Sequence, residues 1–208
     1  MKRLFIIFSI LAFTTLNSAG AKSANLSQIA FMGDSLTVGL GRSGELSEAA
    51  IFGVMGENSG QLRKRFSRQI SHHHYKAVVI LIGINDIAGG RNASWTIANL
   101  TAMYEEATKA GLKVIACTLP PWGAYINRVA PQRRATAANW LNKTSYINYW
   151  IRSQKNILVD QVIDLNILMA NPQKPNHTNP LFLEPDLLHF NLTGSRTMAR
   201  YIKQGLNI

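Results

Sequence analysis

Short apolar runs that alternate with longer amphipathic stretches confine this chain to one broad class of fold. The runs are Gln28–Met32, Ala49–Val54, Ala77–Ile82, Lys113–Thr118 and Ile157–Asp160. Several consist mainly of Val, Ile and Ala without every-second-residue alternation, the pattern of parallel strands covered on both faces. Between and after them, Ser59–Ser71, Ser94–Ala110, Ala135–Gln154 and Thr193–Gly205 read as helices. Gly111 suits a helix stop, and Asn191 or Thr193 suits an N-cap. This order predicts a three-layer α/β/α sandwich. No repeat, low-complexity tract or linker divides it. The Asn- and Pro-rich segment Asn171–Pro180 reads as an exposed loop bordering whatever Asp186 and His189 do.

The N-terminus is of a different kind. Met1-Lys2-Arg3, the apolar stretch Leu4–Leu16 and the small residues Ala19-Gly20-Ala21 have the order of a secretory signal peptide. An uncleaved anchor would need about 20 apolar residues, more than this stretch supplies. The expectation is a signal peptide over 1–21, a single mature domain over 22–208, and a secreted or periplasmic product with no transmembrane anchor after cleavage. No cysteine at the cleavage site offers a lipid attachment point. Cys117 is the one cysteine and lies within an apolar run, so no intramolecular disulfide forms and packing must supply stability.

The formal charge is +11, densest at Arg63-Lys64-Arg65 with Arg68 at helical spacing. That cluster is either a solvated helix face or a patch drawn to anionic envelope polymers and lipid headgroups. No nucleic-acid-binding motif accompanies it, and the leader directs the chain away from nucleic acid.

Chemistry concentrates where strands end. Phe31-Met32-Gly33-Asp34-Ser35-Leu36 places Ser35 at a strand-to-helix turn, on the carboxyl side of the sheet where open α/β folds bind ligands. A helix start also leaves the Ser35 N–H without an intrahelical partner. Among five histidines, His72-His73-His74 reads as a solvated helix end rather than a metal site, and His177 has no evident partner. His189 has Asp186 three residues earlier, close enough for carboxylate and imidazole to meet. Asn85, after the apolar run Ala77–Ile82, either makes a turn or offers an amide donor. Gly56 also follows a strand, where a missing side chain lets its N–H face a substrate. Each residue alone has an ordinary explanation. Together they supply a nucleophile, a base, a carboxylate and oxyanion donors.

These blocks resemble the SGNH hydrolase superfamily, also called GDSL esterases/lipases. The resemblance runs through Gly33-Asp34-Ser35-Leu36, Gly56 with Asn58-Ser59, Gly83-Ile84-Asn85-Asp86 and Asp186-Leu187-Leu188-His189, in family order across the mature domain. It implies a flavodoxin-like sheet of about five parallel strands. It further implies Ser35 as nucleophile, His189 as base, Asp186 as its orienting acid, and Ser35 N–H, Gly56 N–H and Asn85 as oxyanion donors. Phe190 stands where the family often has proline, which bears on the local backbone. The Gly-x-Ser-x-Gly elbow of α/β-hydrolases is absent.

The function expected is hydrolysis of carboxylic esters through an acyl-enzyme, with short-chain or O-acetyl esters, small or on a polysaccharide, as substrates. A lysophospholipase or thioesterase with a longer acyl pocket, a transacylase, and a catalytically silent binding protein remain alternatives. No cofactor or metal is implied. Pocket walls are expected from Thr37–Glu45, Ala88–Trp95 and Pro120–Val129. Trp122 and Tyr125 are candidates for lining an acyl or sugar site or for packing, and Arg42 and Arg91 for meeting an anionic substrate or solvent.

Overall fold

Every residue of β1 (Ile29–Gly33) and β3 (Ala77–Leu81) is buried, and these strands lie side by side in the centre of a sheet. The computed structural model describes residues 25–71, 74–126, 128–129 and 131–208. The expected signal peptide lies outside the described residues. After β1 come α1 (Ser35–Arg42), β2 (Ala50–Gly53) and α2 (Ser59–Ser71). β3 is followed by α3 (Ile84–Ala88), α4 (Ala93–Lys109), β4 (Lys113–Cys117), α5 (Gly123–Ile126) and α6 (Pro131–Ser153). The chain closes with β5 (Gln161–Ile163), α7 (Leu165–Leu168), β6 (Ala170–Asn171), β7 (Lys174–Thr178) and α8 (Leu192–Leu206).

Five parallel strands form one sheet in the order β2-β1-β3-β4-β5. This is the flavodoxin-like order, with its reversal between β1 and β3. Contacts group α1, α7 and α8 on one side, and α2, α4 and α6 into a second helical layer. The order matters for function. The chain passes from β1 to β2 on one side and then crosses to β3 on the other, so the carboxyl ends of β1 and β3 lie together at the reversal.

The helices form for legible reasons. In α2, Leu62, Phe66 and Ile70 recur every fourth residue and are buried. Asn92 caps α4 by accepting from Trp95 N–H at 2.9 Å, and Asn191 caps α8 by accepting from Gly194 N–H at 2.9 Å. Gly111, at φ +76°, ends the turn after α4 in a left-handed conformation that favours glycine. Cys117 is buried, which pushes its thiol up to about 12 and makes it inert.

Two expectations need correction. The fifth strand is Gln161–Ile163 rather than Ile157–Asp160. Asn156 turns left-handed at φ +62°, and its N–H donates to the Val159 carbonyl at 2.8 Å. The reversal leaves Ile157 exposed and only Val159 buried, so the apolar run straddles a turn. The segment Asn171–Pro180, expected as an exposed loop, is largely exposed but carries a hairpin: β6 and β7 pair antiparallel across it. Thr178 anchors this hairpin by donating its hydroxyl to the Pro121 carbonyl.

Close approach between layers relies on Gly33. A Cβ there would stand 2.1 Å from the Leu81 carbonyl oxygen and 2.3 Å from Thr37 Oγ1. The neighbouring carbonyl belongs to the central strand and cannot yield cheaply. Gly33→Ala should therefore lose about 1–3 kcal/mol or more of stability. Urea unfolding measures this; a midpoint equal to wild type would contradict the packing described.

Candidate active site

Ser35 opens α1, and Asp34 positions it. The Asp34 carboxylate accepts from Leu36 N–H at 2.9 Å, so a side chain immediately before Ser35 caps the helix that carries it. Burial pushes the Asp34 carboxyl up to about 7. The hydrogen bond from Leu36 opposes that rise, Asp86 reinforces it, His189 opposes it and Glu57 reinforces it.

The second component arrives from the other end of the chain. His189 Nε2 lies 3.0 Å from Ser35 Oγ, and His189 Nδ1 lies 2.6 Å from Asp186 Oδ2. Asp186 Oδ1 accepts backbone N–H bonds from Leu188 and His189, both at 2.9 Å. Partial burial raises the Asp186 carboxyl, but the bonds from His189 and these two amides outweigh it and hold the group below the usual range. An ionised Asp186 fixes the proton on Nδ1 and leaves Nε2 to accept from the serine hydroxyl.

The loop bearing this pair is strained and braced. Leu187 sits at φ +62°, a conformation costing a leucine about 1–2 kcal/mol. Its N–H donates to the Glu184 carbonyl at 2.9 Å, and Glu184 N–H donates to the His189 carbonyl at 2.8 Å. Asn191 Nδ2 ties α8 back to the carbonyls of Leu181 and Leu183 at 3.0 and 3.2 Å. Phe190, in the position where proline was the family habit, packs against the core and pairs as a bridge with Leu183.

Asn85 lies in the first turn of α3, entered through Gly83 at φ +137°. Its Nδ2 donates to the Glu57 carbonyl at 2.9 Å and approaches Asp34 Oδ2 at 3.4 Å. Gly56, at φ +72°, occupies the turn closed by Glu57 N–H donating to the Val54 carbonyl at 3.2 Å. The structure therefore gathers Asp34, Ser35, Glu57, Asn85, Asp186 and His189 into one connected set, with Gly56 adjoining.

Sequence reading missed the supports beneath this set. Asp86 is fully buried and accepts from Ser59 N–H at 2.9 Å and Ser59 Oγ at 2.5 Å. Burial raises its carboxyl, against the pull of both Ser59 bonds. Glu57 and Arg65 form a largely buried ion pair at 2.6 Å. Asp86 and Ser59 stand within the family-like blocks and Glu57 between Gly56 and Asn58, yet nothing in the linear order shows their partners.

A cavity of about 440 Å³ opens at Ser35 and His189, lined also by Leu36, Gly39, Arg42, Met55 and Phe190. Of the three expected wall segments, Thr37–Glu45 contributes; the described residues of Ala88–Trp95 and Pro120–Val129 do not line it. Trp122 is buried, donates Nε1–H to Thr144 Oγ1 at 2.9 Å and stacks on Trp140 at 5.1 Å, so it is a core residue. Tyr125 stacks on Trp122. Arg42 reaches the cavity rim, whereas Arg91 lies over the Trp95 ring at 4.9 Å. Among the described residues no group of three His, Cys, Asp or Glu side chains is placed to hold a metal.

Comparison with known proteins agrees on the fold. The model of the GDSL-like Lipase/Acylhydrolase family matches residues 31–197. A GDSL-like lipase from Bacteroides thetaiotaomicron VPI-5482 is 23% identical at a TM-score of 0.70, covering 87% of this chain and 88% of that one. A lipase/acylhydrolase from Enterococcus faecalis is 22% identical at 0.62, covering 85% and 93%. The OSK domain of Drosophila Oskar is 20% identical at 0.65, covering 89% and 91%. The chain matches none of the curated proteins.

The buried Asp34 makes stability depend on pH in a defined direction. Its folded pKa exceeds the unfolded value of about 3.9, so its contribution is full below that value and is lost as pH rises through about 7. Asp34→Asn keeps a capping oxygen and removes the titration. The variant should gain stability over wild type as pH rises from 4 to 8. Denaturant unfolding across that range measures it, and a constant difference would contradict the assignment.

Proposed function

Because the chain belongs to the GDSL-like Lipase/Acylhydrolase family, we propose that it is a serine esterase working through an acyl-enzyme. The observation that carries this reading is the imidazole of His189, shared between Ser35 Oγ at 3.0 Å and Asp186 Oδ2 at 2.6 Å. Ser35 Oγ attacks the ester carbonyl while His189 Nε2 takes the hydroxyl proton. The ionised Asp186 steadies the resulting imidazolium. The tetrahedral oxyanion is held by the N–H groups of Ser35 and Gly56 and by Asn85 Nδ2. Of the two Asn85 contacts, the 3.4 Å approach to Asp34 is the weaker, and the oxyanion takes its place. His189 then returns the proton to the leaving alcohol. Water repeats the sequence, releasing the acid and restoring Ser35.

Short-chain or O-acetyl esters are the substrates we assign first, small or carried on an envelope or environmental polysaccharide. A second reading has one observation in its favour. The cavity of about 440 Å³ carries the apolar side chains of Leu36, Met55, Phe190 and Leu192, which suits a longer acyl chain. We propose a location outside the cytoplasm from the signal-peptide pattern of residues 1–21. There the exposed Arg63, Lys64 and Arg68 would meet anionic polymers.

Steady-state kinetics on p-nitrophenyl esters of graded acyl length test the proposal. Ser35→Ala should abolish turnover, and Asn85→Ala should lower kcat roughly 10²–10³-fold, the value of one oxyanion donor. Asp186→Asn should lower kcat about 10⁴-fold by releasing the imidazole tautomer. Wild-type turnover in folded Ser35→Ala would overturn the mechanism. A kcat/KM peaking at two-carbon acyl groups supports the first substrate class; a peak at long chains replaces it with the second.

A further inference from the structure

The basic run on α2 divides once folded. Arg63, Lys64 and Arg68 are exposed, whereas the Arg65 side chain turns inward and is only 13% exposed. Its Nε donates to Glu57 Oε1 at 2.8 Å and its Nη2 to Glu57 Oε2 at 2.6 Å, a two-pronged pairing. The same Nη2 reaches the Phe52 carbonyl at 2.8 Å and the Gly33 carbonyl at 3.4 Å, while Nη1 donates to Gln69. One planar cation thus joins the carboxyl ends of β1 and β2 to the turn carrying Gly56 and Glu57. Glu57 passes the connection on, its backbone carbonyl accepting from Asn85 Nδ2 at 2.9 Å.

We propose that Arg65, acting through Glu57, is a positioning residue that sets the Gly56 turn and the Asn85 amide for ester hydrolysis. The inference rests on the esterase reading. A buried ion pair loses hydration that its own attraction roughly offsets, and well-packed apolar residues of similar volume hold a fold as well or better. Stability alone therefore does not call for this pair. What an apolar pair lacks is direction. The guanidinium fork directs N–H groups at both strand ends and at the Glu57 carboxylate at once, which a lysine point charge does not do. An oxyanion donor is worth most when its position is fixed before reaction, and a displacement of about 1 Å can cost roughly 10²-fold in rate.

The test compares Arg65→Lys, Glu57→Gln and the double variant Arg65→Met with Glu57→Met, by thermal unfolding, p-nitrophenyl ester kinetics and crystallography. The double variant should stay folded at a melting temperature close to wild type. Its kcat should fall roughly 10- to 100-fold with KM within about twofold. Arg65→Lys should restore little of that loss, and Asn85 Nδ2 should leave hydrogen-bond reach of the residue-57 carbonyl. A folded double variant with wild-type kcat, full activity in Arg65→Lys, or a kcat loss matched by an equal loss of folded protein would each overturn the proposal. The crystallographic arm separates the two readings. If wild type cleaves no ester, the esterase reading fails by itself, and an unmoved Asn85 in the double variant would show that the brace fails too.

Discussion

The contact between His189 Nε2 and Ser35 Oγ joins residues 154 positions apart, and the rest of the site has meaning only while it is closed. Helix packing closes it. α8 buries Met198, Ala199 and Ile202 and lies against α1, the helix that begins with Ser35. A small residue permits the approach: a Cβ on Gly39 would meet Ser195 Oγ at 3.1 Å. Gly194 instead seats α8 against the segment before the histidine loop, where a Cβ would meet the Phe182 carbonyl at 2.3 Å. Arg196 Nε donates to the Ser43 carbonyl at 3.2 Å, and Arg200 pairs with Glu45 at 2.9 Å. The apolar seam sets the distance and the polar contacts set the rotation. The geometry of this contact is thus a property of the α1–α8 interface as much as of the loop bearing the histidine.

Beneath the site three buried carboxylates are satisfied in three ways. Glu57 has the Arg65 fork, Asp86 has the two Ser59 donors, and Asp34 has the Leu36 amide together with a raised affinity for a proton. Concentrating acids there costs stability, since each must give up water. In exchange the strand-end segments are tied through directional bonds rather than through packing alone. Asn85 stands where these ties converge, between the Glu57 carbonyl and the Asp34 carboxylate.

The legible parts of the sequence were those whose physics is local. β1, β3 and β4 are buried through most of their length, so their apolar runs coincide with the strands to within one residue. β5 is a three-residue edge strand, and the apolar run before it belongs to a turn that the left-handed Asn156 creates. Ser35, Asn85, Asp186 and His189 each stood at a strand end or in a loop, where polar residues are free to act. For Trp122 the sequence left pocket and packing both open, because its burial depends on Trp140, eighteen positions on. The Arg65–Glu57 pair was hidden for the same reason. Only the docking of a turn against a helix distinguishes that arginine from its exposed neighbours.

The most direct measurement is a crystal structure of the protein after reaction with an alkyl fluorophosphonate, which mimics the tetrahedral adduct. Phosphorus should be bonded to Ser35 Oγ, with the phosphoryl oxygen about 2.7–3.1 Å from the N–H groups of Ser35 and Gly56 and from Asn85 Nδ2. His189 should remain hydrogen-bonded to Asp186. An unmodified Ser35, or an adduct whose oxygen points away from Asn85 and Gly56, would contradict the proposed ester chemistry.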